Sequence, residues 1–395
     1  MKLLHVHGKQ QFFLNRRQNL NKKKEVRNAN RRKDLKLKRR IGKIHGTSNP
    51  LEKYFKERRK CKKRLYKRLK YKDKKSVVVE VTGEFGIEWD LESFVSLSES
   101  FLSFNSKSLF FDFGECTKVW PSGVTLLCGF KQWVELTSYP NRSPTIGSTR
   151  SNHVKVNSYL NYCGFYDYVN RDKDGSPDEY YSPDKVVKIQ RETNYSDIYV
   201  REKNIVQLIK KYSDLNEEQI DKFYDVVLTE VFNNVSEHGI NNQDSGWWSL
   251  CQHHSSAQII SLCIADNGIG IKNSLLTGPQ RDGIAKKFPE SESNEGDLIK
   301  FAIKENISGA FKAAQGKREF IRRKYDRGSR RGNGLKRITD TCKEMRVSLS
   351  ILSQNGYIKI DKFGEIEIIG SKGKRIFAGT LHHFVIPAKS TNEEA

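Results

Sequence analysis

Ile259-Ile-Ser-Leu-Cys-Ile-Ala-Asp266-Asn-Gly268-Ile-Gly270-Ile271 decides how this chain is read. The apolar run has the length and branched character of a buried strand, and Gly268 and Gly270 stop it. Asp266 then stands at the strand's end, where its carboxylate can accept a hydrogen bond. The glycines let the backbone bend and approach a ligand with no Cβ in the way. A plain Asp-Asn-Gly turn fits the same residues. The strand is the second half of a hairpin expected over Gly246–Ala265, since Trp247-Trp-Ser-Leu-Cys251 precedes it.

Upstream lies Glu230-Val-Phe-Asn-Asn234-Val-Ser-Glu-His238, on a helix expected over Asn216–His238. Glu230, Asn234 and His238 recur every fourth residue and so line one helix face. Phe223, Val227, Val231 and Val235 have the same spacing and are expected to pack inward. A carboxylate and a carboxamide one turn apart suit a proton acceptor and a hard oxygen for hydrated magnesium; a solvated helix face fits them as well. His238 fits a capping or core role equally. Downstream, Arg330-Arg-Gly332-Asn333-Gly334-Leu335 opens a helix expected over Asn333–Met345. Its glycine N–H groups and helix start favour anions, and Arg330, Arg331, Lys336 and Arg337 add positive charge. The spacing matches neither G-x-x-x-x-G-K-[ST] nor G-x-G-x-x-G.

In this order, with Gly379-Thr380 ahead of a last apolar strand, the segments resemble the ATP-binding domain shared by gyrase, histidine kinases, anti-sigma-factor kinases and MutL, the GHKL superfamily. The resemblance covers residues 200–387. It implies an α/β chain with a two-layer α/β sandwich, the Bergerat-type ATP-binding fold, and ATP with Mg2+ as cofactors. It implies Glu230 as catalytic base and Asn234 as the magnesium ligand. Asp266 would take the adenine amine, with Gly268 and Gly270 shaping the pocket and Thr380 helping to bind the base. Gly332, Asn333 and Gly334 would wrap the phosphates. The stretch 272–331 is long for a lid, and its Lys317–Arg327 segment is basic with two aromatic residues.

Residues 76–170 read as a separate small α/β domain, with strands at Ser76–Thr82 and Leu109–Phe113 and helices at Leu91–Phe104, Val124–Leu136 and Val154–Cys163. Leu109-Phe-Phe-Asp112 followed by Pro121-Ser122-Gly123 and a helix resembles the strand-loop-helix of STAS domains. That resemblance implies Ser122 as phosphoacceptor and a protein partner for this domain; a helix N-cap serine is the competing reading. Residues 171–199 are polar, carry Gly175, Pro177 and Pro183, and read as linker. Residues 388–395 read as a tail.

The 395-residue chain carries a net charge of +24, and nearly all of it is in one place. Residues 1–75 hold 30 Lys and Arg against 5 Asp and Glu, whereas the remainder holds 41 against 42. This basic arm is expected to be partly helical over 51–72 and disordered before that, for want of apolar surface. Its charge, with Tyr54, Phe55, Tyr66 and Tyr71, suits nucleic acid, while acidic proteins and anionic lipid fit the charge alone. Deleting residues 1–75 should abolish salt-dependent nucleic-acid affinity; survival of that affinity would point instead to the basic lid segment.

The seven cysteines (Cys61, Cys116, Cys128, Cys163, Cys251, Cys263 and Cys342) are scattered singly, which implies buried thiols in a cytoplasmic protein rather than a disulfide framework or a zinc site. No apolar run is long enough to span a membrane. The expected function is an ATP-binding regulatory protein, an ATPase or protein kinase whose lid and partner contacts follow the nucleotide, with homodimerisation common in the family. The alternatives are an ATP-coupled nucleic-acid-binding protein and an anti-sigma-factor-like serine kinase. A histidine kinase fits less well, because no helical pair bearing a phosphoacceptor histidine precedes the site.

Overall fold

A computed structural model describes residues 76–87, 108–137, 145–148, 151–169, 182–192, 195–235, 246–277, 282, 284, 288, 295–304, 334–369, 377 and 379–390. All of these fall within one unit, Lys75–Ala395. The basic arm, the helix expected at Leu91–Phe104, His238, Gly332, Asn333 and the basic segment Lys317–Arg327 lie outside the described residues.

The chain is α/β, built on a seven-stranded antiparallel sheet. Its strands are β6 (Val186–Glu192), β7 (Trp247–His254), β8 (Ile259–Asp266), β9 (Ser348–Ser353), β10 (Gly356–Ile360), β11 (Ile366–Ile368) and β12 (Thr380–Pro387), in the spatial order β11-β10-β9-β12-β8-β7-β6. The last strand of the chain therefore enters the middle of the sheet, between β8 and β9. The upstream segment contributes β1 (Ser76–Glu80), β2 (Gly83–Phe85), β3 (Ser108–Asp112), β4 (Cys116–Val119) and β5 (Thr145–Ser148). These form a parallel three-stranded sheet, β1-β3-β5, and a parallel pair, β2-β4. Its helices are α1 (Pro121–Thr137), α2 (Val154–Tyr162) and α3 (Phe165–Tyr168). Of the stretch read as linker, Val186–Glu192 is the edge strand β6 and Tyr195 begins α4 (Tyr195–Tyr212).

Side-chain alternation gives the large sheet two apolar faces, and both are covered. One face presents Cys251, Ile260, Leu262, Ile264, Ile351 and Phe384 to a helical layer. That layer includes α4, α5 (Glu217–Lys222), α6 (Thr229–Asn234) and α9 (Gly334–Glu344). Asn216 starts α5 with a reciprocal capping box to Gln219. Between α5 and α6 the rod passes through a π-helical segment, Phe223–Leu228. Phe223, Val227, Val231 and Val235 are all buried, as their spacing predicts.

The other face presents Trp248, Leu250, Cys263, Ala265, Leu352 and Leu381, which join one cluster with Val124, Leu127, Phe130 and Phe165 of the upstream segment. A two-layer arrangement leaves this face bare; here α1 lies across β7 and β8. Tryptophan and leucine on both sides of the strands make a second cover necessary, since water would otherwise meet a wide apolar surface.

The stretch read as a lid also contains packed structure. The helices α7 (Gly270–Thr277) and α8 (Glu295–Lys304) share a small apolar cluster of Leu275, Ile284, Leu298 and Ala302, which Leu335 of α9 abuts. The Glu295 carboxylate is buried and accepts from Asn355 N at 3.2 Å, which ties α8 to the β9–β10 turn.

The six described cysteines are free and buried, as expected from their scattered placing. No helix of the described residues is long and apolar enough to cross a membrane.

Candidate functional site

One row of backbone positions crosses six strands at one end of the sheet: Glu192, Trp247, Asp266, Thr380, Ser353 and Gly356 are successive cross-strand partners. Two of the expected site residues, Asp266 and Thr380, are thus direct neighbours, although more than a hundred residues separate them in sequence.

Asp266 is only 5% exposed. Its Oδ1 accepts from Gly268 N at 2.7 Å, and its carboxylate also accepts from Thr380 N. Burial outweighs these two bonds and pushes the carboxyl up to about 7. A desolvated acceptor of this kind binds a donor strongly, because any donor that arrives relieves an unfavourable charge.

The rest of this end is built by close backbone approach. Gly270 has φ +74, and a Cβ there would lie 2.8 Å from Gln354 Cγ. Gln354 Nε2 donates to Ile269 O at 2.6 Å, and Ser353 Oγ accepts from Ile271 N at 2.9 Å. The β9–β10 turn therefore props the glycine bend from below. Ser353, Gln354 and Asn267 were not among the expected site residues. Their sequence shows a Ser-Gln-Asn-Gly turn and an Asx turn, with nothing to say that the first would support the second.

Asn267 points the other way, to α1. Its Nδ2 donates to Gly129 O at 2.9 Å. Phe377, just before Gly379-Thr380, packs edge-on against Phe130 at 5.7 Å, and a Cβ on Gly129 would lie 3.0 Å from the Phe377 ring. One turn of α1 thus touches both segments that frame Asp266.

The second group of expected residues also converges. Glu230 and Asn234 lie one turn apart on α6, and Gly334 opens α9 beside them. A Cβ on Gly334 would lie 3.0 Å from Glu230 Oε2 and 3.9 Å from Asn234 Nδ2. The missing side chain lets the start of α9 approach the carboxylate. Arg337, one turn into α9, donates from Nη1 to Glu230 Oε1. The sequence marks Arg337 only as one of four nearby cations. Phe232, between Glu230 and Asn234 on α6, stacks edge-on with Trp247 at 4.9 Å, and Trp247 is the β-partner of Asp266. One aromatic pair therefore links the two groups.

Among the described residues no cluster of three His, Cys, Asp or Glu could hold a metal ion. Glu230 and Asn234 offer one carboxylate and one carboxamide. That donor set suits a magnesium ion that brings phosphate and water ligands with it, and does not suit a protein-only cage.

Ser122 is the second residue of α1. It is fully buried near the start of α1, and its Oγ accepts from Ile87 N at 3.2 Å. A Cβ on the neighbouring Gly123 would meet Phe85 at 2.7 Å, so the Pro-Ser-Gly turn is packed hard on β2. In this arrangement the Ser122 hydroxyl holds a backbone donor and has no solvent exposure. No family model and no curated protein matches the chain.

Proposed function

We propose that this chain is an ATP-binding regulatory protein of the GHKL type, with a Bergerat-type domain that begins at β6 and runs to residue 387 and a STAS-like module before it. The observation that carries the reading is the convergence of dispersed motif residues into two groups linked by one aromatic pair. Asp266 and Thr380 form a buried acceptor that suits the adenine amine. Glu230, Asn234 and Gly334 meet where a triphosphate, its magnesium and an attacking water would be handled. In this reading Gly268 and Gly270 shape the base pocket, and Asn234 supplies a hard oxygen to the metal. The ion would screen phosphate charge, while Glu230 would orient water and accept its proton.

Magnesium-dependent ATP binding and turnover by the full chain test the proposal. Binding in the micromolar to millimolar range with slow phosphate release is expected. Glu230→Ala should lower turnover about 100-fold or more, the scale of a general base, while leaving ADP affinity nearly unchanged. A folded protein that shows no binding at millimolar ATP would sink the proposal.

A further inference from the structure

Arg337 occupies an unusual place for a surface arginine. It stands on the first turn of α9, three residues after Gly334, and its guanidinium reaches across to α6 to hold Glu230. Glu230 is therefore enclosed from two sides of the same helix start. Oε1 accepts from Arg337, and Oε2 faces the Gly334 backbone. The adjacent cation, Lys336, is turned away and pairs with Asp340 one turn along at 3.0 Å.

The pair is only partly buried, with side-chain exposures of 37% for Arg337 and 20% for Glu230. An ion pair at such a boundary is weak, and a stronger acceptor can break it. A phosphate group is such an acceptor, because it carries more charge and presents oxygens that match the guanidinium fork. Meanwhile a carboxylate oxygen already accepting from a guanidinium is a poor acceptor for a proton from water.

We infer that Arg337 is the residue by which this site tells a nucleoside triphosphate from a diphosphate: Glu230 holds it in the resting protein, and a terminal phosphate takes it over and removes the guanidinium from Glu230 Oε1. The inference rests on the nucleotide-site reading above. It adds that the resting site is latched by the Arg337–Glu230 pair until a third phosphate arrives.

The test compares Mg-ADP with the magnesium complex of β,γ-imido-ATP, measured calorimetrically on the full chain. Neither probe depends on turnover. In Arg337→Gln, affinity for the imido analogue should fall about tenfold with ADP affinity unchanged, the loss of one charge-assisted contact. Arg337→Lys should restore part of the difference, since it keeps the charge without the fork. Glu230→Gln should act in the opposite direction: with its partner's charge removed, Arg337 is freed, and the imido analogue should bind about threefold more tightly.

Equal weakening of both nucleotides in Arg337→Gln would give Arg337 a merely structural role and overturn the inference. Weakening of the imido analogue in Glu230→Gln would overturn it as well. A parent protein that binds both nucleotides, with Arg337→Gln indistinguishable from it, overturns the latch alone. A folded parent that binds neither overturns the nucleotide site and the latch together.

Discussion

Asp266→Asn should give a protein that is more stable than its parent at pH 8 and binds ATP about 100-fold or more weakly. The stability half follows from desolvation. The Asp266 carboxyl is buried and raised from 3.8 to about 7, so the native state holds its proton far above the pH at which the unfolded chain releases it. Between those values the native state is the more protonated one, and stability falls as pH rises. The contribution is favourable at pH 4 and has been lost by pH 8. A shift of this size corresponds to at most roughly 4 kcal/mol. Asparagine cannot ionise and escapes that cost. It keeps an oxygen for Gly268 N and Thr380 N, and it adds a buried amide N–H2 that costs about 1–3 kcal/mol when unpaired. The net is a gain of about 2 kcal/mol at pH 8 that reverses near pH 4, where the parent's carboxyl is already neutral. Urea titrations at the two pH values read it directly. A variant destabilised equally at both would mean that the carboxylate is solvated.

The binding half follows from which atom faces the ligand. With asparagine Oδ1 taken by the backbone donors, the amide N–H2 points where the adenine amine would arrive, donor against donor. Loss of one hydrogen bond to a charged acceptor, about 1.5–3 kcal/mol, together with that mismatch amounts to a fall of about 100-fold or more. In the parent the same carboxyl sets the pH dependence. An amine donor favours the ionised form, so binding releases a proton below about pH 7, and affinity should rise toward pH 8. Asp266→Asn should be flat over that range.

Much of this site was legible because its parts are local. The strand Ile259–Asp266 ends where its apolar run ends, and Phe223, Val227, Val231 and Val235 bury the face their spacing defines. Gly334 meets Glu230 and Thr380 pairs with Asp266, contacts that join segments about a hundred residues apart. What could not be read depends on contacts between distant segments. The strand β6 lies in a short Val-Val-Lys-Ile-Gln-Arg-Glu alternation amid polar residues, and only pairing with β7 makes it a strand. The seating of α1 on the large sheet depends on Gly129 and Phe130 meeting Phe377, some 250 residues later. Charge on a helix usually faces water, so nothing in the order of residues singled out Arg337 as the partner of Glu230.

Gly379→Val should damage the fold and the site together, and in this it contrasts with Asp266→Asn. A Cβ on Gly379 would lie 1.9 Å from the carbonyl oxygen of Asp266 and 2.8 Å from its Oδ1. The first atom is backbone at the end of an interior strand and has no rotamer to escape into. Relief requires the start of β12 to move off the end of β8, which opens the Thr380↔Asp266 pair and withdraws the Thr380 N–H from the carboxylate. Overpacking of cores costs about 1–3 kcal/mol, and a clash between two backbones belongs at or above the top of that range. Set against a typical total of about 5–15 kcal/mol, this lowers the urea midpoint sharply. The milder Gly379→Ala keeps the experiment informative if the valine variant fails to fold. Gly129→Ala is the graded control: its Cβ would meet the Phe377 ring at 3.0 Å, and a ring edge can yield where a carbonyl cannot. Stability and ATP affinity should fall together in both Gly379 variants, whereas Asp266→Asn drives them apart at pH 8. A Gly379→Ala protein with the parent's midpoint and affinity would show that β12 does not meet β8 in this register, and the placing of Thr380 beside Asp266 would go with it.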